Sequence, residues 1–395
     1  MISHLITIDV LWSIIATVFC ALLLGRTIYI LIATPIIRPS CWSLIKKPPL
    51  VSILLPVRNE EKRVLRRNIE SLLKQTYKQI QIIAVNDRST DNSLSILRQY
   101  ERMPGSTLQV IEGTDVPADW LGKLFALHQA KSHATGEWLL TIDADVIYSP
   151  HTVESALAYM EENNLDALSL LPRVKMDSFW ETTIIPVMSW LSLMRVSTTQ
   201  ANRRSSKACF GYGNFIIFKR YAHNYIGGFS SYKKDILDDC APMEKLKKKG
   251  FRIIVADGSE LMVSRMYSSL KEIIEGFGKN TFAALRFSIV RVIGVLLMEV
   301  FFVLSPPFYF LFKTLIKHEI SMSIITKLFG TAALFFLLTM VFFGIKMRAN
   351  IKFYFLYILG HILAVIIICF SVLTYKMRTG TTWKGRIVNK ILSGA

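Results

Sequence analysis

Trp138-Leu139-Leu140-Thr141-Ile142-Asp143-Ala144-Asp145 decides how this chain is read. The run up to Ile142 reads as a buried strand, and two carboxylates one residue apart stand where the backbone would leave the sheet. Hard oxygen ligands at a strand end suit a divalent cation that shares its shell with water and a phosphate-bearing substrate. Taken alone, the same Asp-x-Asp reads more readily as a solvated turn, so the neighbouring elements have to decide.

Upstream, the pattern of strand, polar exit and helix repeats. Leu50-Val51-Ser52-Ile53-Leu54-Leu55 reads as a strand closed by Pro56-Val57-Arg58-Asn59-Glu60-Glu61, and Leu65, Ile69, Leu72 and Leu73 follow at helical spacing. Ile80-Gln81-Ile82-Ile83-Ala84-Val85 is a second strand, ending in Asn86-Asp87-Arg88-Ser89-Thr90-Asp91-Asn92, with a helix from about Ser93 carrying Leu94, Leu97 and Tyr100 on one face. Leu108–Ile111 is a third strand and Leu121–Ala134 a third helix, which makes Trp138–Ile142 the fourth strand. Alternation of this kind predicts an α/β fold with a mostly parallel sheet covered on both faces, ligands gathering at the carboxyl ends of its strands. Arg58, Asn59 and Glu60, then Asp87 and Asp91, then Asp143 and Asp145 would converge there. Turn chemistry accounts for each cluster singly; three in series point to a nucleotide site. Neither Gly-x-Gly-x-x-Gly nor a Gly-Lys-Ser/Thr phosphate loop is present, which argues against dinucleotide oxidoreductases and P-loop NTPases. A nucleoside diphosphate held through a metal fits better.

Of the 395 residues 52% are hydrophobic and the mean hydropathy is +0.38, too high for an ordinary soluble enzyme. The excess sits at the ends. Leu11 to Ile37 is apolar over more than the roughly twenty residues that a spanning helix needs, and it lacks the basic start and cleavage site of a signal peptide. Ile289–Phe312, Leu328–Phe343 and Phe353–Leu373 are three further apolar blocks. The expected organisation is therefore 1–49 as a transmembrane helix and linker, 50–285 as the catalytic domain, and 286–395 as a membrane region with a basic tail.

The net charge of +18 would suit nucleic acid, but its placement suits a membrane. Arg38, Lys46 and Lys47 follow the first apolar segment, and Lys376, Arg378, Lys384, Arg386 and Lys390 follow the last without an acid among them. Both flanks, and with them the central domain, are expected on the cytoplasmic face. That requires an even number of C-terminal crossings, whereas three blocks are present; Pro306-Pro307 within the first offers a break, as a re-entrant hairpin or two short crossings. Cys20, Cys41, Cys209, Cys240 and Cys369 have no metal-type spacing and suggest no disulfide framework.

The ordered stretches Ser52–Glu61, Val85–Asp91 and Asp143-Ala144-Asp145 resemble the motifs of inverting family 2 glycosyltransferases of the GT-A fold, over about 50 to 285. Asp119-Trp120-Leu121-Gly122-Lys123, Ile236-Leu237-Asp238-Asp239-Cys240 and the Trp383-Lys384-Gly385-Arg386 tail are similar to the membrane-bound branch that glycosylates lipids, nearest to hopanoid-associated and carotenoid-type enzymes and further from ceramide glucosyltransferases. The resemblance implies that Pro56, Arg58, Glu60 and Asp87 hold the nucleoside of a UDP- or GDP-linked sugar. It implies that Asp145 binds Mg²⁺ or Mn²⁺ with Asp143 close to the ribose and the metal shell, the cation neutralising charge on the departing diphosphate. Asp91 is expected to cap the helix behind it. Lys123 either reaches the diphosphate or snorkels from a helix start.

Inversion also needs a base for the acceptor hydroxyl. The pair Asp238-Asp239 resembles the family's Glu-Asp motif, whose second acid is the base; Asp239 takes that role and Asp238 a supporting one, although acids at a helix N-terminus also complement its dipole in any protein. The two glycines of Cys209-Phe210-Gly211-Tyr212-Gly213-Asn214 either let backbone approach a ligand or mark a β-bulge. Tyr225-Ile226-Gly227-Gly228-Phe229 resembles the loop under the sugar. Trp180–Val196 reads as an interfacial helix or a buried core helix, and Tyr267–Phe277 as a second interfacial candidate. Ser264-Arg265-Met266-Tyr267 stands where processive polysaccharide synthases carry Gln-x-x-Arg-Trp. That motif is absent, which disfavours a polymer product, while Arg265 is left to assist the departing diphosphate. The expectation is an integral protein of the cell (inner) membrane that moves one sugar to a lipid acceptor and takes no nucleic acid. The competing class, a non-catalytic scaffold or transporter with a nucleotide-sensing domain, would place more charge within its spans.

Overall fold

The computed structural model describes residues 2–39, 48–316, 323–377, 382–383 and 386–387, with backbone alone at 2–7, 316, 382–383 and 386–387. Cys41, Lys46, Lys47, Arg378, Lys384, Gly385 and Lys390 lie outside the described residues, and of the tail motif only the backbone of Trp383 and Arg386 is described. The chain forms two compact units, one of Met1–Ala33, Met176–Arg195 and Tyr267–Thr381, the other of Thr34–Lys175, Val196–Met266 and Thr382–Ala395.

The second unit is the α/β one. Its strands in chain order are β1 (Val51–Val57), β2 (Ile80–Asn86), β3 (Leu108–Glu112), β4 (Trp138–Ile142), β5 (Val146–Tyr148), β6 (Ala167–Leu171), β7 (Arg173–Val174), β8 (Phe215–Lys219), β9 (Ile253–Asp257) and β10 (Met262–Ser264). The main sheet has the order β3-β2-β1-β4-β8-β6-β9, and β5-β10-β7 form a small second sheet. Pairings β1–β2, β2–β3, β1–β4 and β6–β9 are parallel, as the alternation predicts. The sheet is nonetheless mixed, because β8 runs antiparallel to both β4 and β6. This reversal sets up the site. Phe215, the first residue of β8, pairs with Ile142, the last of β4, so the loop entering β8 is delivered to the Asp143 end of β4.

Period-two alternation distributes the strands between two layers. Ile53, Leu55, Ile82, Leu140 and Ile142 pack with Leu65, Ile69, Leu72, Leu97 and Met160 on one face. Leu54, Ile83, Val85, Leu139, Ile216 and Phe218 pack with Leu124, Leu127, Met243 and Leu246 on the other. Both faces of the sheet are thus closed, and only the strand ends are left for chemistry.

The first helix, Ile2–Ala33, stops short of the apolar stretch expected to span to Ile37. Pro35 lacks the amide that would continue the ladder. Ile36 instead bridges to Asp257 in β9, and Ile37 is buried in the core of the α/β unit.

Among the described residues four helices are long and apolar enough to cross a membrane: Ile8–Ala33, Ile289–Leu315, Ile324–Lys346 and Phe353–Lys376. Pro306-Pro307 do not break the second of these. They occupy the first positions of a helical turn, Ser305–Leu311, behind a π-helical stretch, Glu299–Leu304, where a missing N–H is absorbed. The C-terminal count is three, odd rather than the even number that a common side for domain and basic tail requires.

Phe179–Arg195 packs as a core helix over much of its length, while Phe179 and Trp180 at its start are exposed. Glu181–Met188 and Trp190 are all buried, Trp190 Nε1 donates to Thr27 Oγ1 (3.2 Å), and Gly360 brings the last helix so close that a Cβ there would stand 2.3 Å from Thr183 O. A small residue at the crossing lets two backbones meet, the usual device of helix pairs in lipid. The second interfacial candidate lies largely in the helix Leu270–Ala284, which also packs inward: Ser371 Oγ donates to Gly278 O (2.5 Å) and Tyr375 OH to Lys279 O (2.9 Å).

Candidate active site

The exits of β1 and β2 are bound into one ledge. Asn59 and Arg88, the residues on which the two loops turn, both have φ of 51°, the left-handed region that an asparagine tolerates better than an arginine. Arg58 Nη1 donates to Asp87 O (2.7 Å) and Arg88 O (3.2 Å), Asp87 N to Val57 O (2.8 Å), and Thr90 N to Asn59 Oδ1 (2.8 Å). Arg58 therefore positions Asp87, which is buried, as is Glu60, while Pro56 and Arg58 are half-buried. Asp91 is not the cap it was expected to be: Asn92 holds the N-cap position of the helix Ser93–Glu101, without a side-chain capping bond, and Asp91 instead accepts at Oδ1 from Ser93 N (3.0 Å) and at Oδ2 from Glu61 N (3.0 Å), which ties the two loops.

The turn after β4 is held from below by a residue that sequence reasoning missed. Asn68, on the buried face of the helix Leu65–Leu73, donates through Nδ2 to Asp143 O (3.2 Å) and Val146 O (2.7 Å). An asparagine among Leu65, Ile69 and Leu72 was the available signal, since a buried amide needs partners. Tyr148 adds a second strut by donating to Asn214 O (2.6 Å); its phenol is held well above its ordinary range by burial and then by Asp143 and Asp145.

Lys123 stands between the two halves of the site. Its Nζ is 2.8 Å from Asp143 Oδ1 and 2.8 Å from Asp238 Oδ2. Burial opposes the ammonium, and the two carboxylates outweigh it, holding its pKa well above that of an ordinary lysine. Its ammonium is thus tied to two carboxylates of the site. Arg63, also missed, lies 3.7 Å from Glu60 Oε2 and 4.0 Å from Asp145 Oδ2 and donates to Met266 O (3.3 Å). In the sequence it is one of four consecutive charges, Glu60-Glu61-Lys62-Arg63, and nothing local singles it out. Arg265, half-buried, sits one residue before Met266 at the end of β10, and so reaches this neighbourhood through the chain.

Asp239 is the N-cap of the helix Cys240–Lys248, its Oδ1 accepting from Cys240 N (2.8 Å). Burial, then the Asp238 carboxylate, push its pKa up to about 6 against the pull of Lys123. The glycines of 209–214 precede β8 in loop rather than in a bulge, Gly213 within a turn that Phe215 N closes by donating to Tyr212 O (3.2 Å). Their smallness serves contact: a Cβ on Gly211 would stand 2.3 Å from Asp239 O, and one on Gly213 would stand 3.1 Å from Lys123 Nζ and 3.2 Å from Asp143 Oδ2. The Asp119–Lys123 and Ile236–Cys240 stretches are docked through Lys233, whose Nζ pairs with Asp119 Oδ2 and whose carbonyl accepts from Leu121 N (2.9 Å). Gly227 and Gly228 between them turn with φ of 87° and 60°, which only glycine adopts freely.

Among the described residues no group of three or more His, Cys, Asp or Glu side chains could cage a metal by itself. Asp143 and Asp145 fit a Mg²⁺ or Mn²⁺ that brings phosphate and water oxygens for the rest of its shell, the usual habit of such ions at phosphate sites.

Residues 52–239 match the family profile described as Glycosyl transferase family 2. The 4,4'-diaponeurosporenoate glycosyltransferase of Staphylococcus aureus (strain USA300) is 26% identical over 236 residues, 58% of this chain and 60% of that protein. The chain thus aligns with less than two thirds of that relative's length. Among solved structures, mannosyltransferase PcManGT from Pyrobaculum calidifontis, in complex with GDP-Man and Mn²⁺, covers 93% of this chain and 97% of its own at 18% identity and a TM-score of 0.54, a likeness of fold. The crevice at the ends of β1, β2 and β4 thus lies within the stretch that matches the glycosyltransferase family 2 profile, on a fold similar to that of the mannosyltransferase, and apolar helices flank that stretch on both sides.

Proposed function

We propose that this protein transfers a single sugar, with inversion, from a UDP- or GDP-linked donor to a hydroxyl or carboxyl of a membrane lipid, at the cytoplasmic face of the cell's inner membrane. The functional divisions are a 1–49 anchor, a 50–285 catalytic domain and a 286–395 membrane region. The observation that carries the reading is Lys123, which joins Asp143 of the donor half to Asp238 of the acceptor half with two 2.8 Å contacts. The relative's diaponeurosporenoate acceptor supports a lipid of carotenoid type, and four long apolar helices support the membrane.

In this reading Pro56, Arg58, Glu60 and Asp87 form the nucleoside ledge, Asp143 faces ribose and metal, and Asp145 holds the metal. Mg²⁺ or Mn²⁺, when bound, supplies charge neutralisation to the leaving diphosphate. Asp239 accepts the acceptor proton as the acceptor oxygen bonds to the anomeric carbon and the bond from that carbon to the diphosphate oxygen breaks; Asp238 orients the acceptor, and Arg265 faces the departing diphosphate. A carboxylate raised to about 6 is still ionised at neutral pH and is a stronger base than an ordinary aspartate.

The test is the full-length protein in lipid nanodiscs with a panel of nucleotide-sugars and an extract of membrane lipids. Metal-dependent release of nucleoside diphosphate should accompany a lipid product carrying one sugar, and Asp239→Asn, which can still cap its helix, should lower transfer by about 10² to 10⁴. No consumption of any donor, or full activity in Asp239→Asn, would overturn the reading.

A further inference from the structure

Each carboxylate of Asp143-Ala144-Asp145 already has a cation beside it, and the two cations come from different elements. Lys123, at the start of the helix Gly122–His133, is 2.8 Å from Asp143; Arg63, ahead of the helix Leu65–Leu73, is 4.0 Å from Asp145. Both have a second acidic neighbour, Asp238 at 2.8 Å for Lys123 and Glu60 at 3.7 Å for Arg63, and Arg63 is also anchored by its bond to Met266 O (3.3 Å). None of these groups is sealed in. The side chains of Lys123, Arg63, Asp143, Asp145 and Asp238 are 37, 23, 28, 19 and 19% exposed, which leaves the pairs open to exchange with solutes.

A divalent ion arriving alone would meet carboxylates already neutralised and two fixed positive charges at close range. A diphosphate arriving alone would meet two cations already engaged with carboxylates. Arriving together, they permit an exchange in which every charge keeps an opposite neighbour: the ion takes the carboxylates, and the ammonium and guanidinium turn to the phosphate oxygens, for which an arginine fork is well shaped. We infer that Lys123 and Arg63 are resident counter-cations of the metal carboxylates that pass to the donor diphosphate when the metal binds, so that metal and nucleoside diphosphate bind as a cooperative pair. This rests on the glycosyltransferase reading above and adds to it a role for Arg63 and a reason for the position of Lys123. Reciprocity follows: whatever factor the nucleotide adds to metal affinity, the metal adds to nucleotide affinity.

The consequence has opposite signs for the two ligands. Removing the charge of Arg63 takes one competing cation away from Asp145, so Mn²⁺ alone should bind more tightly, whereas the nucleoside diphosphate loses a partner and should bind more weakly in the presence of Mn²⁺. General damage to the fold would weaken both.

The experiment uses the full-length protein in nanodiscs, titrated with Mn²⁺ and followed by the electron paramagnetic resonance of free Mn²⁺, alone and with GDP or UDP, and conversely with each nucleotide with and without Mn²⁺. In the parent protein the nucleotide should raise Mn²⁺ affinity about tenfold or more, a coupling within the usual range. Arg63→Gln should raise the affinity for Mn²⁺ alone severalfold, lower that for the nucleotide with Mn²⁺, and shrink the coupling; Arg63→Lys should restore most of it. Lys123→Gln should act in the same direction. If Arg63→Gln binds Mn²⁺ alone no more tightly than the parent, the inference is wrong even though the parent binds both ligands. A parent that binds neither GDP nor UDP with Mn²⁺ overturns instead the glycosyltransferase reading beneath it.

Discussion

Charge is used in opposite ways in the two units. In the α/β unit Arg63 stands between Glu60 and Asp145 and Lys123 between Asp143 and Asp238 at the strand ends, and all of these side chains but that of Glu60 are partly exposed to solutes. In the apolar unit Glu299 and His361 meet at 2.8 Å with both side chains fully buried, and Trp190 and Phe336 stand edge-on to the imidazole. Glu299 Oε1 and His361 Nε2 have no hydrogen-bond partner among the described residues. The first arrangement is exchangeable and the second closed. A closed pair can fix how helices pack, whereas chemistry on an incoming solute needs the exposed kind.

The largest effect expected from breaking this contrast lies in the crevice, where catalytic geometry depends on backbone approach. Gly211→Ala puts a methyl 2.3 Å from Asp239 O and 2.9 Å from Met243 Cγ, so the backbone carrying Asp239 has to move. A displacement approaching 1 Å at a reacting group costs on the order of 10²-fold in rate. Gly213→Ala meets chiefly the far end of Lys123, at 3.1 Å, and the Asp143 carboxylate, at 3.2 Å; a flexible side chain yields by tenths of an ångström, and the loss should stay below about tenfold. Steady-state transfer rates of the two variants provide the check. Equal damage would mean that the approach of the loop to Asp239 is not what the glycines provide.

In the closed region the expected effect is on stability rather than rate. Glu299→Leu leaves His361 unpaired in an apolar setting and should lower stability by about 3 kcal/mol or more, whereas replacing both partners by apolar residues should recover much of the loss. Unfolding of the purified variants in mixed detergent measures this, with the transfer rate of the folded fraction recorded alongside. A Glu299→Leu protein as stable as the parent but without transfer would place the pair in the chemistry and dissolve the comparison.

What could be read beforehand follows the same division. The strand exits at Arg58–Glu60, Asp87 and Asp143–Asp145 were legible because an apolar run followed by turn residues is a local signal. The same holds for the apolar helices, whose length and composition need no tertiary context. What escaped depends on partners distant in sequence. Arg63 is a surface charge until Asp145 is folded against it, and Asn68 is a blemish on a helix face until the turn after β4 supplies its carbonyls. The reversed direction of β8 cannot be heard in a run such as Phe215–Lys219, which reads the same in a parallel or an antiparallel pairing. Pro306-Pro307 misled because proline is a local signal with two outcomes, a break or the first turn of a helix, and the π-helical stretch before it selected the second.

The smallest effect is graded and comes from pH. Burial and Asp238 raise the Asp239 carboxyl to about 6 from an ordinary 3.8, with Lys123 pulling the other way. As the base it works ionised, so kcat/KM should climb about tenfold per pH unit below 6 and level off above it. Stability carries the opposite sign. A carboxyl whose folded pKa exceeds its unfolded one contributes stability that is fully present below 3.8 and is lost as pH rises to about 6. Asp239→Asn, which cannot ionise, should therefore gain stability relative to the parent between pH 4 and 6 and hold a constant advantage above. Activity and unfolding profiles over pH 4 to 8 test both limbs with one substitution. An acid limb in the ordinary aspartate range, or an Asp239→Asn protein with no change in pH-dependent stability, would place the base on another residue and leave Asp239 as a helix cap; Lys123→Gln, which removes the opposing charge, should move the acid limb upward.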